Sequence, residues 1–433
     1  MQLPFEPVQS QGLLDDLDAR GLVHDHTDRD ALAARLEQGP IGLYCGLDPT
    51  GPSLHLGNLQ QLVLLRRFQE AGHRPIALAG GATGLIGDPS GKSDERTLLD
   101  PDQVAANVEA ITGQMRRLLD FEPGPYQARL VNNLDWTADL GAIEFLRDVG
   151  KYLTVNVMLA KESVRSRLGR ETGISFTEFS YMLLQAHDFC VLYERESCEL
   201  QVAGSDQWGN ITAGIELIRR RLSGTAHGLT SPLLLRADGT KFGKSESGAV
   251  WLDPELTSPY QFFQFFMQVA DEEVGTLLRR FTLVPLPEID EVVADHLREP
   301  NVRRGQRRVA AEVTALVHGP EVVPAIEAAT DVLFGGDPTA ASRQAFELLA
   351  SEVPGLAIGA AEVDEGLDPV DVFVRAGLAK SKGEVRRNLA GHYVNGRSIS
   401  GVDRITGADL LHGRFILLRR GKAHHALATV TPG

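Results

Sequence analysis

The stretch Tyr44-Cys45-Gly46-Leu47-Asp48-Pro49-Thr50-Gly51-Pro52-Ser53-Leu54-His55-Leu56-Gly57-Asn58 decides how the rest of the chain is read. Apolar residues from Ile41 to Leu47 predict a buried strand, Asp48 to Ser53 is dense in turn formers, and the amphipathic run from Leu59 to Phe68 predicts a helix. His55, Gly57 and Asn58 then fall near a helix's first turn. Free backbone N–H groups and the positive end of the helix dipole meet there, which suits a polyphosphate, and Gly57 omits a side chain that would block a flat ligand. An ordinary strand-turn-helix with a capping Ser would read the same way, so a second signal is needed.

That signal is Lys241-Phe242-Gly243-Lys244-Ser245, which follows the run Leu233-Leu234-Leu235. Two Lys three residues apart beside a Gly make a flexible cationic clamp. Together with His55-Leu56-Gly57-Asn58 it resembles the two signatures of class I aminoacyl-tRNA synthetases. Gly84-Leu85-Ile86-Gly87-Asp88-Pro89-Ser90-Gly91-Lys92 and Gly204-Ser205-Asp206-Gln207-Trp208-Gly209-Asn210 extend the resemblance, over nearly the whole chain, to the bacterial tyrosyl-tRNA synthetases.

Composition bounds the answer independently. A chain of 433 residues, 43% hydrophobic, is long enough for two or three domains with a substantial core. Cys45, Cys190 and Cys198 have no CxxC spacing, so neither a disulfide framework nor a zinc site is indicated, and no metal site is expected. No apolar run reaches membrane-spanning length and the first ten residues do not resemble a signal peptide, so a cytoplasmic protein without a membrane partner is expected. The formal charge of −15 opposes nucleic-acid binding, but from 368 to 433 eleven Lys/Arg face five Asp/Glu, a balance of +6 that leaves −21 elsewhere.

Residues 12–38 have helical periodicity, and His24-Asp25-His26 reads as a solvated loop because further metal ligands are missing. Arg74 to Ala79 predicts a second parallel strand, which places a ligand crevice at the strands' carboxyl ends. The following Gly80-Gly81-Ala82 stretch fails the dinucleotide fingerprint, and neither Gly87–Lys92 nor Gly239–Ser245 has P-loop spacing. A Gly-rich wall remains, with Asp88 available for an amine and Lys92 and Arg96 for phosphates. A helix at 101–120, a short strand from Ala128 to Val131 ending in Asn132-Asn133, and amphipathic helix over 140–168 follow.

On a helix from Thr177 to Tyr193, Tyr181, Gln185 and Asp188 line one face, fit either for a pocket floor or for a solvated stripe. Ser205 reads as the N-cap of a helix to Arg221, with Asp206 and Gln207 at its strand-to-helix turn. Phenylalanines from Pro259 to Ala270 open a helical domain, and 351–366 reads as a Gly- and acid-rich linker. The basic segment after it predicts a helix carrying Arg386 and Arg387, a hairpin at Tyr393–Arg397 and a strand from Arg414 to Arg420, either an RNA-binding fold or a solvated basic face.

The resemblance implies an α/β, Rossmann-like parallel-sheet catalytic domain over 1–250, an α-helical anticodon-binding domain over 251–350, a linker at 351–366 and a small α+β RNA-binding domain over 367–433. It implies an ATP-dependent ligase that joins tyrosine to tRNA(Tyr), with Mg²⁺ accompanying the nucleotide, and a homodimer formed through 140–168. Tyr44, Asp88, Tyr181, Gln185, Asp188 and Gln207 would contact tyrosine. Asp48, Gly57, Asp206 and Lys244 would contact ATP, while His55, Asn58, Thr50, Lys241 and Lys244 grip the phosphates during reaction. Lys92, Arg96, Arg386 and Arg387 would meet tRNA. Position 58 departs from the pattern, being Asn where a second His is usual, but an amide can still donate a hydrogen bond. A nucleotide-dependent oxidoreductase and a non-catalytic RNA-binding protein remain the alternatives.

Overall fold

The computed structural model describes residues 12–90, 98–168, 173–235, 242–245 and 248–431; Lys92, Arg96, Lys241 and the Lys244 side chain lie outside what is described. The chain divides into two compact units, Met1–Ser258 with Gln264–Val317 and Pro259–Phe263 with His318–Gly433. The helical region expected as one domain over 251–350 is therefore split between them.

In the first unit, α1 (Leu13–Ala19), β1 (Asp25–His26) and α2 (Arg29–Glu37) precede β2 (Gly42–Leu47), α3 (Leu56–Glu70) and β3 (Arg74–Ala79). Next come α4 (Thr83–Ile86), α5 (Pro101–Leu118), β4 (Arg129–Asn132), α6 (Leu134–Thr137), α7 (Ala142–Asp148), α8 (Val155–Leu159) and α9 (Glu162–Leu168). The long α10 (Phe176–Glu196) leads to β5 (Cys198–Gly204), α11 (Trp208–Leu222) and β6 (His227–Ser231). The described sheet runs β1-β6-β5-β2-β3-β4 and is parallel except for β1, which pairs antiparallel with β6. Asp25–His26, read as a loop, is thus a short edge strand.

The chain leaves β2 toward β3 and β4 on one side and later fills β5 and β6 on the other. A topological switch point therefore lies beside the carboxyl end of β2, where an open α/β sheet leaves room for a ligand. Tyr44, Ile76 and Leu78 of the sheet pack with Met182, Ala186 and Phe189 of α10 and Leu217 and Ile218 of α11 in one buried cluster. α3 is buried nearly all round, including Gln60, Gln61, Arg66, Arg67 and Gln69. Such polar groups are tolerable only when bonded. The Gln69 amide accordingly donates to the carbonyls of Asp120 and Tyr126 and accepts from the Asp120 N–H.

A short pair, β7 (Lys244–Ser245) and β8 (Gly248–Ala249), follows β6, and α12 (Pro259–Met267) contains the division between the units. α13 (Val274–Phe281), α14 (Leu286–Arg298) and α15 (Arg304–His318) belong to the first unit up to Val317. The second unit holds α16 (Val323–Leu333), α17 (Arg343–Glu352), β9 (Gly355–Gly359), α18 (Ala360–Glu365), α19 (Pro369–Arg375), α20 (Lys382–Arg387), β10 (His392–Val394), β11 (Arg397–Ser398), β12 (Phe415–Arg420) and β13 (His424–Thr431). Its sheet order is β11-β10-β12-β13-β9. The stretch 351–366 is not a linker. Gly355–Gly359 pairs parallel with Leu427–Thr431, and Ile358 and Val363 enter the domain's apolar cluster. Alternation of small and apolar residues was enough for an edge strand, and its glycines hid that pattern.

Candidate active site

β2, the turn after it, α10 and the β5–α11 junction surround a cleft of about 450 Å³. Lining it are Tyr44, Asp48, Thr50, His55, Gly57, Asn58, Asp88, Tyr181, Gln185, Asp188, Asp206 and Gln207, so residues far apart in sequence meet in one site.

At the mouth, α3 begins three residues before the expected Leu59. His55 is its N-cap, and its ring Nδ1 accepts from the N–H groups of Gly57 (3.1 Å) and Asn58 (3.4 Å). Asn58 returns the bond, its Oδ1 accepting from the His55 N–H at 3.1 Å. This reciprocal box replaces the capping Ser and occupies first-turn amides that were expected to be free. An accepting Nδ1 fixes the neutral imidazole as the Nε2–H tautomer, so the helix presents a side-chain donor to the cleft. The Asn at position 58 is thus part of the architecture, supplying an acceptor while its NH₂ keeps donor capacity.

At the floor, Tyr44 is 1% exposed and its hydroxyl is buried without a hydrogen-bond partner. Its ring lies 5.3 Å from that of Phe189. Asp188, 3% exposed, accepts from Trp136 Nε1 at 2.8 Å and from Asn133 Nδ2 at 2.9 Å. Burial outweighs those two donors and pushes the Asp188 carboxyl up to about 7. The Tyr44 phenol is held well above its ordinary range, first by burial and then by the nearby Asp188.

Between floor and mouth, Asp48 accepts from the Tyr181 hydroxyl at 2.7 Å and from Thr83 Oγ1 at 2.7 Å. Burial, then Asp48, keeps the Tyr181 phenol protonated well beyond its ordinary range. Asp88 accepts from Gln207 Nε2 at 2.6 Å, and Asn210 Nδ2 donates to both Gln207 Oε1 and Gln185 Oε1 at 3.0 Å. Asp206 stands exposed at the rim. Ser205 is not the N-cap: Ser205–Gln207 is a 3-10 turn, and α11 starts at Trp208 without a side-chain cap.

Sequence reasoning passed over Thr83, Asn133, Trp136, Asn210 and the buried Gln201. Asn133 carried a weak signal as the polar end of a strand on the crevice side. Trp136, one helical turn on, carried none, because an indole in a four-residue helix has no periodicity to betray its direction. Arg386 and Arg387 are exposed on α20 of the second unit. Of the eleven basic residues counted from 368 to 433, Arg375, Lys382, Arg397 and Arg420 are each paired with a carboxylate.

A doubly wound parallel sheet, a cleft at its switch point and a His-capped helix at the mouth define a class I synthetase fold. A family model described as tRNA synthetases class I (W and Y) matches residues 36–335, and one described as Tyrosine–tRNA ligase SYY-like C-terminal domain matches 346–428. The chain belongs to this tryptophan and tyrosine family of class I tRNA synthetases. It is 51% identical over 422 residues to the Tyrosine–tRNA ligase of Opitutus terrae, covering 96% of this chain and 99% of that one. The Tyrosine–tRNA ligase of Roseiflexus castenholzii is 50% identical over 419 residues, with coverage of 96% and 98%. Among solved structures, a C-terminally truncated mitochondrial tyrosyl-tRNA synthetase from Aspergillus nidulans matches with a TM-score of 0.68 and 31% identity, over 75% of this chain and 97% of that one.

Proposed function

We propose that this chain activates L-tyrosine with ATP, giving tyrosyl-adenylate and pyrophosphate, and then transfers tyrosine to the terminal ribose of tRNA(Tyr). The observation that carries the reading is the cleft floor: the unpartnered Tyr44 hydroxyl, with the Asp188 carboxyl in electrostatic reach. A substrate phenol would give the Tyr44 hydroxyl its missing partner and Asp188 a further donor beside Trp136 and Asn133, whereas phenylalanine would leave the Tyr44 hydroxyl buried and unpaired. Asp88, Tyr181, Gln185 and Gln207 then take the amino-acid end, and Asp48, Gly57 and Asp206 the nucleoside. Thr50, His55, Asn58, Lys241 and Lys244 take the phosphates.

The substrate carboxylate attacks the α-phosphorus, an O–P bond forms, and pyrophosphate departs with its electron pair. The ribose hydroxyl next attacks the acyl carbon, its proton passes to the departing phosphate or to solvent, and the acyl C–O bond to the phosphate breaks so that AMP leaves with the electron pair. Alignment and donors aimed at the phosphate oxygens supply the rate, with no covalent enzyme intermediate. Hydroxyl, imidazole N–H and amide donors at the mouth fit phosphate oxygens, so Mg²⁺ would arrive on the triphosphate, held by phosphates and water, and neutralise its charge.

Transfer RNA would be met by Lys92 and Arg96 and, in the second unit, by Arg386 and Arg387. Exposed Ile143 (77%), Leu146, Val155 and Phe176 (75%) support a homodimer formed through the connecting segment. A cytoplasmic setting belongs to the same reading, in keeping with three buried cysteines that form no disulfide. Tyrosine-dependent exchange of labelled pyrophosphate into ATP tests the proposal. No exchange, or equal exchange with tryptophan, would overturn it.

A further inference from the structure

The turn between β2 and α3 presents exposed Thr50 and His55 to the cleft, and within it Thr50 N–H donates to Asp48 O at 2.8 Å. Its shape is imposed from α5. Buried Asn107 and Gln114 lie seven residues apart, on one helix face. Asn107 Nδ2 donates to Pro49 O at 3.0 Å, fastening the start of the turn. Gln114 Oε1 accepts from Leu54 N–H at 2.9 Å, fastening its end.

Ser53 is the hub on the Gln114 side. Its hydroxyl donates to Leu54 O at 2.9 Å and accepts from Gln114 Nε2 and from the Asp253 N–H, both at 3.1 Å. Leu252 N–H donates to Leu54 O at 2.9 Å, so the segment after β8 is stitched to the same point. Asn107, Gln114 and Ser53 do not line the cleft. The floor residues stand instead on β2, α6 and α10.

We propose that Gln114, acting through Ser53 and Leu54, and Asn107, acting through Pro49, are positioning residues for adenylate formation: they hold Thr50 and His55 against the phosphates without touching substrate. The proposal rests on the adenylate-forming reading above. A buried network in which each side-chain nitrogen and oxygen has a partner is restrained, and a 1 Å misplacement of reacting groups can cost about 10²-fold in rate.

The test is tyrosine-dependent pyrophosphate exchange in the full chain, with tyrosine affinity measured separately. Gln114→Met keeps the volume and removes the bonds; kcat should fall about 10- to 100-fold while tyrosine affinity stays within about twofold. Gln114→Glu keeps the acceptor for Leu54 N–H and should recover most of the rate. If Gln114→Met does not fold, Ser53→Ala, which deletes one hydroxyl, decides, with a loss of about tenfold in kcat. Rates within twofold of the unmodified chain, or equal losses in kcat and tyrosine affinity, would overturn the proposal. Absence of exchange in the unmodified chain would instead overturn the functional reading.

Discussion

The floor and the mouth of the cleft are built on opposite physical terms. At the floor, Tyr44 and Asp188 are buried and their protonation is displaced by desolvation. At the mouth, Thr50, His55 and Asp206 are exposed, and order comes from the His55–Asn58 box and from the bonds that α5 makes to the turn. Where water is excluded, a single unmet hydrogen bond is expensive, so on the proposed reading selection of the substrate falls to the floor. Where water competes, one bond discriminates little, and on the same reading the mouth would contribute through alignment of groups that act as charge moves.

The largest test of that contrast is Asp188→Ala. It removes the acceptor for a substrate phenol and also strands the Trp136 and Asn133 donors. With charge-assisted bonds and unsatisfied buried donors each worth about 1.5–3 kcal/mol, kcat/KM for tyrosine should fall about 10³-fold and the preference over phenylalanine should collapse. A variant that still strongly prefers tyrosine would move selection away from the floor. His55→Ala should show the opposite division, with kcat in pyrophosphate exchange down about 10²-fold and tyrosine affinity nearly unchanged. A matching rise in tyrosine KM would erase the distinction between the two regions.

A pH profile sharpens the comparison at smaller amplitude. Because burial lifts Asp188 to about 7, the free enzyme loses its carboxylate as pH falls through neutrality, and tyrosine KM should rise several-fold between pH 8 and pH 6. Asn133→Ala removes a donor that favours the ionised form, so the midpoint should move upward; a downward move would contradict the assigned bond. The linkage to folding has the matching sign. A carboxyl raised from its ordinary 3.8 to about 7 costs no stability below the lower value, costs more as pH rises between them, and costs a constant amount above. The smallest effect is expected for Tyr44→Phe. It removes a neutral hydroxyl that is unpartnered in the free protein, so the preference for tyrosine over phenylalanine should weaken by about tenfold or less. A larger loss than for Asp188→Ala would reverse the ranking of the two floor groups.

Periodicity and turn chemistry determined a good deal of this protein without coordinates. Arg74–Ala79 is a strand with the expected bounds, the Tyr181, Gln185 and Asp188 row does face the cleft, and the central helix extends the expected one by one residue at its start and three at its end. These succeed because a side chain's face follows from local backbone geometry, and that geometry repeats every two or 3.6 residues. The errors have a physical pattern of their own. Ser205 suits an N-cap by composition, but the chain tightens into a 3-10 turn; 355–359 reads as linker until β13 provides a strand to pair with.

What tertiary structure alone decided is partnership. That His55 binds Asn58, that Trp136 and Asn133 hold Asp188, and that Gln114 reaches Ser53 across 61 positions are facts about distance in space. Hydrogen bonds between side chains carry no sequence period, so residue type shows only what each group can donate or accept. Folding brings these groups together in a low-dielectric interior, and that proximity sets both which bonds form and how far burial shifts the Asp188 carboxyl.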